Sequence, residues 1–191
     1  MNLRVLLYCT KAKGKNYYLR KLPNGRYCLS RDKGESLNGK IVAVHDYELE
    51  EVRVMTQFTL EKSWHVYLTP NLEPDELKER SCLTSSMLDK YKPNYAIHIE
   101  NLYKFIKPKE LKDLYIKGSY HNAEQMFTDE IQINGEWFHP MKTAPQNMCY
   151  VYGRDGVKYV LISVHPEWLC LILNELKDVE LRRKVLKEMK E

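Results

Sequence analysis

The chain has 191 residues, of which 43% are hydrophobic and 29% charged, with a formal net charge of +4. That balance suits a folded domain with a sizeable core and excludes a disordered or collagen-like chain. No stretch approaches the roughly 18 apolar residues of a membrane-spanning helix. The opening MNLRVLLYCTK has a short apolar run and no small-residue cleavage site, so a cytoplasmic protein is expected rather than an exported one.

The net charge hides an asymmetry. Residues 1–40 carry ten Lys/Arg against two Asp/Glu, whereas residues 41–81 carry four against nine. The basic segment also holds Tyr8, Tyr17, Tyr18 and Tyr27. Cations and rings together suit a nucleic acid, by phosphate neutralisation and base stacking. The same residues suit a solvated strand edge guarded by lysines, and charge alone does not separate the two readings. The five cysteines (Cys9, Cys28, Cys82, Cys149, Cys170) are odd in number and form no C-x-x-C pair, which points to free, buried thiols. The six histidines show no zinc-like spacing beside cysteines or carboxylates, so neither metal nor cofactor is expected.

Arg4–Thr10 reads as a first strand. Tyr17–Leu22 and Arg26–Leu29 form a hairpin across Pro23-Asn24-Gly25, because Asn-Gly supplies positive φ. Asn38-Gly39 leads into a long strand over Lys40–Leu49. Residues 56–80 are weaker, broken by Pro70 and Pro74, with a short helical turn at Asp75–Arg80. Thr84-Ser85-Ser86 caps a helix over Met87–Tyr91 that Pro93 ends. Tyr95–Phe105 alternates as a strand, and a short helical pattern covers Glu110–Tyr115. Residues 117–144 read as an insertion or flap with a hairpin signal at Asn134-Gly135. Met148–Tyr152 and Val157–Val164 form a further hairpin across Gly153–Gly156. His165-Pro166 starts a helix with an apolar stripe of Trp168, Leu169, Ile172 and Leu176. Beyond Lys177 two readings stand: a strand over Val179–Val185, with Glu180 and Arg182 on one face, or a continued helix. The sum is a mainly β (α+β) fold, a small antiparallel β-barrel with one or two flanking helices.

The segment Leu161–Lys184 resembles the ASCH family, whose members are small PUA-like β-barrels. The family signature is a strand, a helix and G-x-K-x-x-E-x-R. Lys177, Glu180 and Arg182 match it, and Glu175 replaces its glycine. Val5–Thr10, Leu37–Val42, Tyr95–Leu102, Lys107–Leu111 and Ala144–Val151 resemble further segments of bacterial and prophage members. The order differs: residues 1–152 resemble the family's second half, and residues 157–191 its first. Residues 1–191 therefore read as one domain in circularly permuted order. The tight turn at Gly153–Gly156 joins the ancestral ends, which implies that they were neighbours. A swapped dimer, in which the C-terminal motif completes a neighbouring molecule, is the alternative.

The resemblance implies a basic cleft for single-stranded RNA or a nucleotide, set beside the turn that carries Lys177, Glu180 and Arg182. Lys177 and Arg182 would hold phosphate, and Glu180 would accept from a base or orient the cations. His98, Gln146, His165, Tyr8 and Thr10 lie on motifs that the family places near the cleft, with Lys11 in the basic loop that follows. Were the protein an enzyme, a hydrolase of RNA or of modified nucleosides, Lys177 and Glu180 would be the catalytic pair. In the amidohydrolase branch the position of Glu180 is a threonine, so that branch's mechanism is not expected here. A third reading is a degenerate barrel serving protein interaction, which predicts distortion around Glu175.

Overall fold

The computed structural model describes residues 3–11, 17–32, 34–52, 55–58, 64–67, 74–118 and 129–191. The strands are β1 (Arg4–Cys9), β2 (Tyr18–Lys21), β3 (Tyr27–Ser30), β4 (Ile41–Glu51), β5 (Met55–Phe58) and β6 (Trp64–Tyr67). Two short helices follow, α1 (Pro74–Ser81) and α2 (Ser85–Tyr91). Then come β7 (Tyr95–Lys109), β8 (Tyr115–Lys117), β9 (Ile131–Ile133), β10 (Glu136–Pro140), β11 (Met148–Tyr152) and β12 (Lys158–Val164). Helix α3 (Pro166–Leu173) and β13 (Val179–Arg182) complete the order. The protein is mainly β, as its alternation implies. No helix among the described residues is long and apolar enough to cross a membrane.

Local chemistry accounts for most of the turns. The β2–β3 and β11–β12 hairpins use the same three-residue loop. Gly25 N–H donates to Leu22 O at 3.0 Å and Gly156 N–H to Gly153 O at 3.0 Å, with both glycines left-handed. In each loop the preceding side chain, Asn24 or Asp155, accepts from the backbone N–H two residues on. Asn134 and Gly135, at φ 52° and 83°, make the two-residue turn of β9–β10. Thr84 caps α2 by accepting from Met87 N–H at 3.3 Å. The expected helix over Glu110–Tyr115 is a single 3-10 turn, Leu111–Asp113, because Tyr115 already pairs in the sheet. Strand β7 runs beyond Phe105 to Lys109, through Pro108.

The strand order of the large sheet is β13-β7-β4-β1-β12-β11-β8-β10-β9. It corrects the expected antiparallel barrel in two respects. Strand β1 pairs antiparallel with β4 but parallel with β12, Arg4 opposite Tyr159 through Cys9 opposite Val164, so the sheet is mixed. The order also does not return on itself, so the sheet is open. Closure would join β13, four residues long, to β9, three residues long; both are short edges of the kind that resist further pairing. The segment expected as an insertion or flap contributes β8, β9 and β10 to the sheet, and residues 119–128 lie outside those described. Residues 59–63 and 68–73 of the weakly patterned stretch lie outside them too, as do residues 53–54 before it.

The chain divides into two compact units. One comprises residues 1–45 and 102–170, the other residues 46–101 and 171–191. The core of the first gathers Leu6, Tyr8, Ile41, Val44, Leu114, Met141, Val151 and Leu161. The core of the second gathers Val52, Leu77, Leu88, Ala96, Val179 and Leu181.

The fork beyond Lys177 resolves as strand. Helix α3 ends in a Schellman turn: Leu176 N–H donates to Leu171 O and Glu175 N–H to Ile172 O, both at 2.9 Å. Glu175 takes the left-handed position at φ 61°. Leu176, expected on the buried stripe, therefore lies past the helix and is 60% exposed.

Candidate nucleic-acid interface

The nine residues nominated from the sequence fall into two groups. Tyr8, Thr10, Lys11, Gln146 and His165 belong to the first unit, and all five line one cleft of about 570 Å³. His98, Lys177, Glu180 and Arg182 belong to the second unit.

The cleft of the first unit forms where three segments converge. Strand β1 ends beside β12, and Thr10 N–H continues their pairing by donating to Val164 O at 3.0 Å. This register sets Thr10 beside the start of α3, where His165 Nδ1 lies 3.3 Å from Thr10 Oγ1. Ser163 holds the third segment: its Oγ donates to Pro145 O at 2.6 Å and its N–H to Asn147 O at 2.9 Å, which fixes Gln146 at the rim. Asn38 reaches across to accept from Leu19 N–H and to donate to Tyr17 O at 3.1 Å, which positions the Tyr17 ring at the cleft.

Lys11, Gln146 and His165 are exposed, whereas Tyr8 is buried. Burial pushes the Tyr8 phenol up, helped by the nearby Cys9 and Glu110, so Tyr8 presents a neutral hydroxyl at neutral pH. Next to it Cys9 is pushed up to about 12, first by burial and then by Glu167. Cys149 is pushed up to about 11 by burial. Both thiols stay protonated at neutral pH and are poor nucleophiles. Ser163, Glu167 and Trp168 also line the cleft. The sequence reading left these three out of the site, although each lies within three residues of His165. Trp168 has the only signal that separates it from the apolar stripe, its indole N–H, which suits a polar edge.

In the second unit the motif residues are drawn inward. Lys177 is 2% exposed at its side chain, Glu180 12% and Arg182 11%. The Lys177 ammonium donates to Ser81 O at 2.8 Å and Val179 O at 2.7 Å, with Glu180 Oε2 at 3.4 Å. An ammonium has three donors, and here all three face partners in the chain. Glu180 Oε1 lies 2.9 Å from Arg182 Nη2. Burial holds the Lys177 pKa below its ordinary value, and Glu180 opposes that shift. The cluster thus occupies the polar side of β13 as a buried ionic network, while Val179 and Leu181 pack in the core.

His98 is elsewhere in that unit. Its Nε2 lies 2.9 Å from Glu50 Oε2, and both line a cleft of about 1130 Å³ whose lining does not include Lys177, Glu180 or Arg182. Glu50 Oε1 is buried without a partner among the described residues. The sequence reading did not nominate Glu50, since only the pairing of distant strands brings it to His98.

Among the described residues no group of three or more His, Cys, Asp or Glu is arranged to hold a metal ion. Comparison with family models, curated proteins and solved structures finds no match to this chain.

Proposed function

We propose that the chain is an ASCH-like, PUA-related module that binds single-stranded RNA or a nucleotide in the cleft around Thr10 and His165. The observation that carries this reading is the convergence of Tyr8, Thr10, Lys11, Gln146 and His165 on one cleft. They come from three segments. The resemblance implies four of them beside the family's cleft and Lys11 in the basic loop that follows, whereas His98, Lys177, Glu180 and Arg182, which it implies for the same cleft, lie in the second unit. The volume, about 570 Å³, lies in the range of small-molecule sites. Lys11 supplies the charge for a phosphate, and the start of α3 adds its dipole. Tyr17 and Trp168 offer ring faces for a base, and Gln146, Thr10 and His165 offer donors and acceptors for its edge. The permuted order of the family halves belongs to the same proposal, supported by the tight β11–β12 hairpin that joins them.

The hydrolase reading rests on Lys177 and Glu180, and the engagement of every Lys177 donor weakens it. The protein-interaction reading drew on distortion at Glu175. The Schellman turn there is intact, with Glu175 in the conformation a glycine would take.

The test is anisotropy of a labelled single-stranded RNA at two salt concentrations, with a gel on the same samples. Salt-sensitive binding of intact RNA that weakens in Lys11→Ala and His165→Ala is the expected result. Binding at neither salt concentration, repeated with mononucleotides, would end the proposal; cut RNA would restore the hydrolase.

A further inference from the structure

The first unit holds a second cleft, of about 550 Å³, which none of the nine nominated residues line. Its walls carry three rings and three cations: Tyr103, Phe105 and Tyr159 with Arg4, Lys109 and Arg154. Strand periodicity explains the grouping. Tyr103, Phe105 and Lys109 lie an even number of residues apart on β7 and so project from one side. Arg4 and Tyr159 are direct partners in the parallel β1–β12 pair. Arg154 sits in the β11–β12 turn.

We propose that this cleft is a stacking platform for the bases of a single-stranded RNA, separate from the cleft at His165. The inference rests on the proposed function, because it assigns a further contact to the same ligand. Tyr103 is 53% exposed, a large ring area to leave in water. Its ring meets Phe105 edge to face, with centroids 5.8 Å apart, so one aromatic supports the other in a fixed orientation. Lys109 Nζ stands 4.9 Å from the Phe105 ring centroid, which places a cation beside the ring pair. The charges favour a polyanion. The two carboxylates of the lining are each bound to backbone amides, Asp113 to Glu110 N–H at 2.8 Å and Asp155 to Val157 N–H at 3.1 Å. Both acids are exposed, as Lys109 and Arg154 are, so the bias towards an anion is the surplus of one cation, three against two, with the acids held back against the backbone. Rings for bases and cations for phosphates together define a single-stranded nucleic-acid surface with little sequence preference.

The position sharpens the proposal. Arg4, Leu6 and Tyr8 share one face of β1; Arg4 lines the platform, and Tyr8 lines the His165 cleft. They are about 13 Å apart along the strand at ~3.3 Å per residue. Leu6 and Leu114 line the platform cleft and not the His165 cleft, and behind them Leu161, the partner of Leu6, packs with Met141 in the core. A mononucleotide therefore fits one cleft at a time, and only an oligonucleotide engages both.

The experiment compares Tyr103→Ala and Tyr103→Phe with the wild type, using a labelled single-stranded 12-mer and, separately, a mononucleotide. The alanine variant is expected to weaken the 12-mer about tenfold and the phenylalanine variant to leave it unchanged. Mononucleotide binding at the His165 cleft should stay the same in both. Equal losses in the two variants would overturn stacking. A 12-mer that binds the wild type, weakens in Lys11→Ala and is indifferent to Tyr103→Ala would overturn the platform alone. A wild type that binds neither ligand would overturn the proposed function itself.

Discussion

Lys11 and His165 stand in solvent around a cleft, whereas Lys177 and Arg182 are enclosed around a shared carboxylate. Both sets are basic side chains that the family resemblance points to, yet their chemistry differs. An exposed ammonium keeps its donors for a ligand and costs little to hold in place. A buried one loses hydration and must be satisfied by the chain itself. Lys177 meets that demand with two carbonyls and Glu180, so its strength is spent on joining α1 to β13. A motif of charged residues thus signals two different things according to where its neighbours come from.

The largest effect should follow from breaking the enclosed set. Lys177→Met is expected to lower the unfolding free energy by about 3 kcal/mol, since it leaves Glu180, Ser81 O and Val179 O without the ammonium. Denaturant titration reads it, and adding Glu180→Gln should restore part of the loss. If Lys177→Met proves as stable as the wild type and instead abolishes RNA binding, the comparison is inverted. The pH dependence has a defined sign. The folded pKa of Lys177 lies below its ordinary 10.5, so between the two the unfolded chain binds more protons there and stability rises with pH. The variant lacks that rise.

The next effect belongs beside the open set. Cys9 and Cys149 have an ordinary pKa of 9.0 and folded values near 12 and 11. Above pH 9 the unfolded chain therefore holds fewer protons at these thiols, and their contribution to stability falls as pH rises towards those values. Cys9→Ala should flatten the alkaline decline measured by denaturation at pH 8 to 10. An unchanged slope would show that Cys9 is not buried as its environment implies.

What was legible in the sequence was local. Asn24-Gly25, Asn134-Gly135 and Asp155-Gly156 announce turns because the demand for positive φ is met within two residues. Thr84 and Pro166 announce helix starts for the same reason. Tyr8, Thr10, Gln146 and His165 were reached through motif resemblance, and their convergence was not visible in any spacing. The parallel pairing of β1 with β12 spans most of the chain, and no short pattern encodes it. The open sheet follows from that pairing and from two short edges. The burial of Lys177 was hidden likewise, because Ser81, which accepts its bond, lies 96 residues away. Alternation did place Val179 and Leu181 opposite Glu180; it could not say that the polar side would also be covered.

Binding variants sharpen the comparison from the exposed side. Lys11→Ala should weaken RNA binding several-fold and reduce the salt slope by about 0.7, as expected for one lost phosphate contact on a single strand. The denaturation midpoint should not move, because Lys11 is exposed. A stability change equal to that of Lys177→Met would show that the open set is structural after all.

The smallest effect concerns the turn that separates α3 from the enclosed set. Glu175 occupies a left-handed position at φ 61°, which costs an L-residue about 1 kcal/mol relative to glycine. Glycine recovers that strain but gives back part of it through the greater freedom of the unfolded chain. Glu175→Gly should therefore gain about 0.5 kcal/mol or less, whereas Glu175→Val, with its branched Cβ, should lose about 1 kcal/mol. The order glycine, glutamate, valine in denaturant midpoints tests the conformation directly. RNA affinity should be unchanged across the three, because Glu175 belongs to the second unit and does not line the cleft at His165. An affinity that tracks the order would tie the turn to binding and would return the motif, glycine position included, to the ligand site.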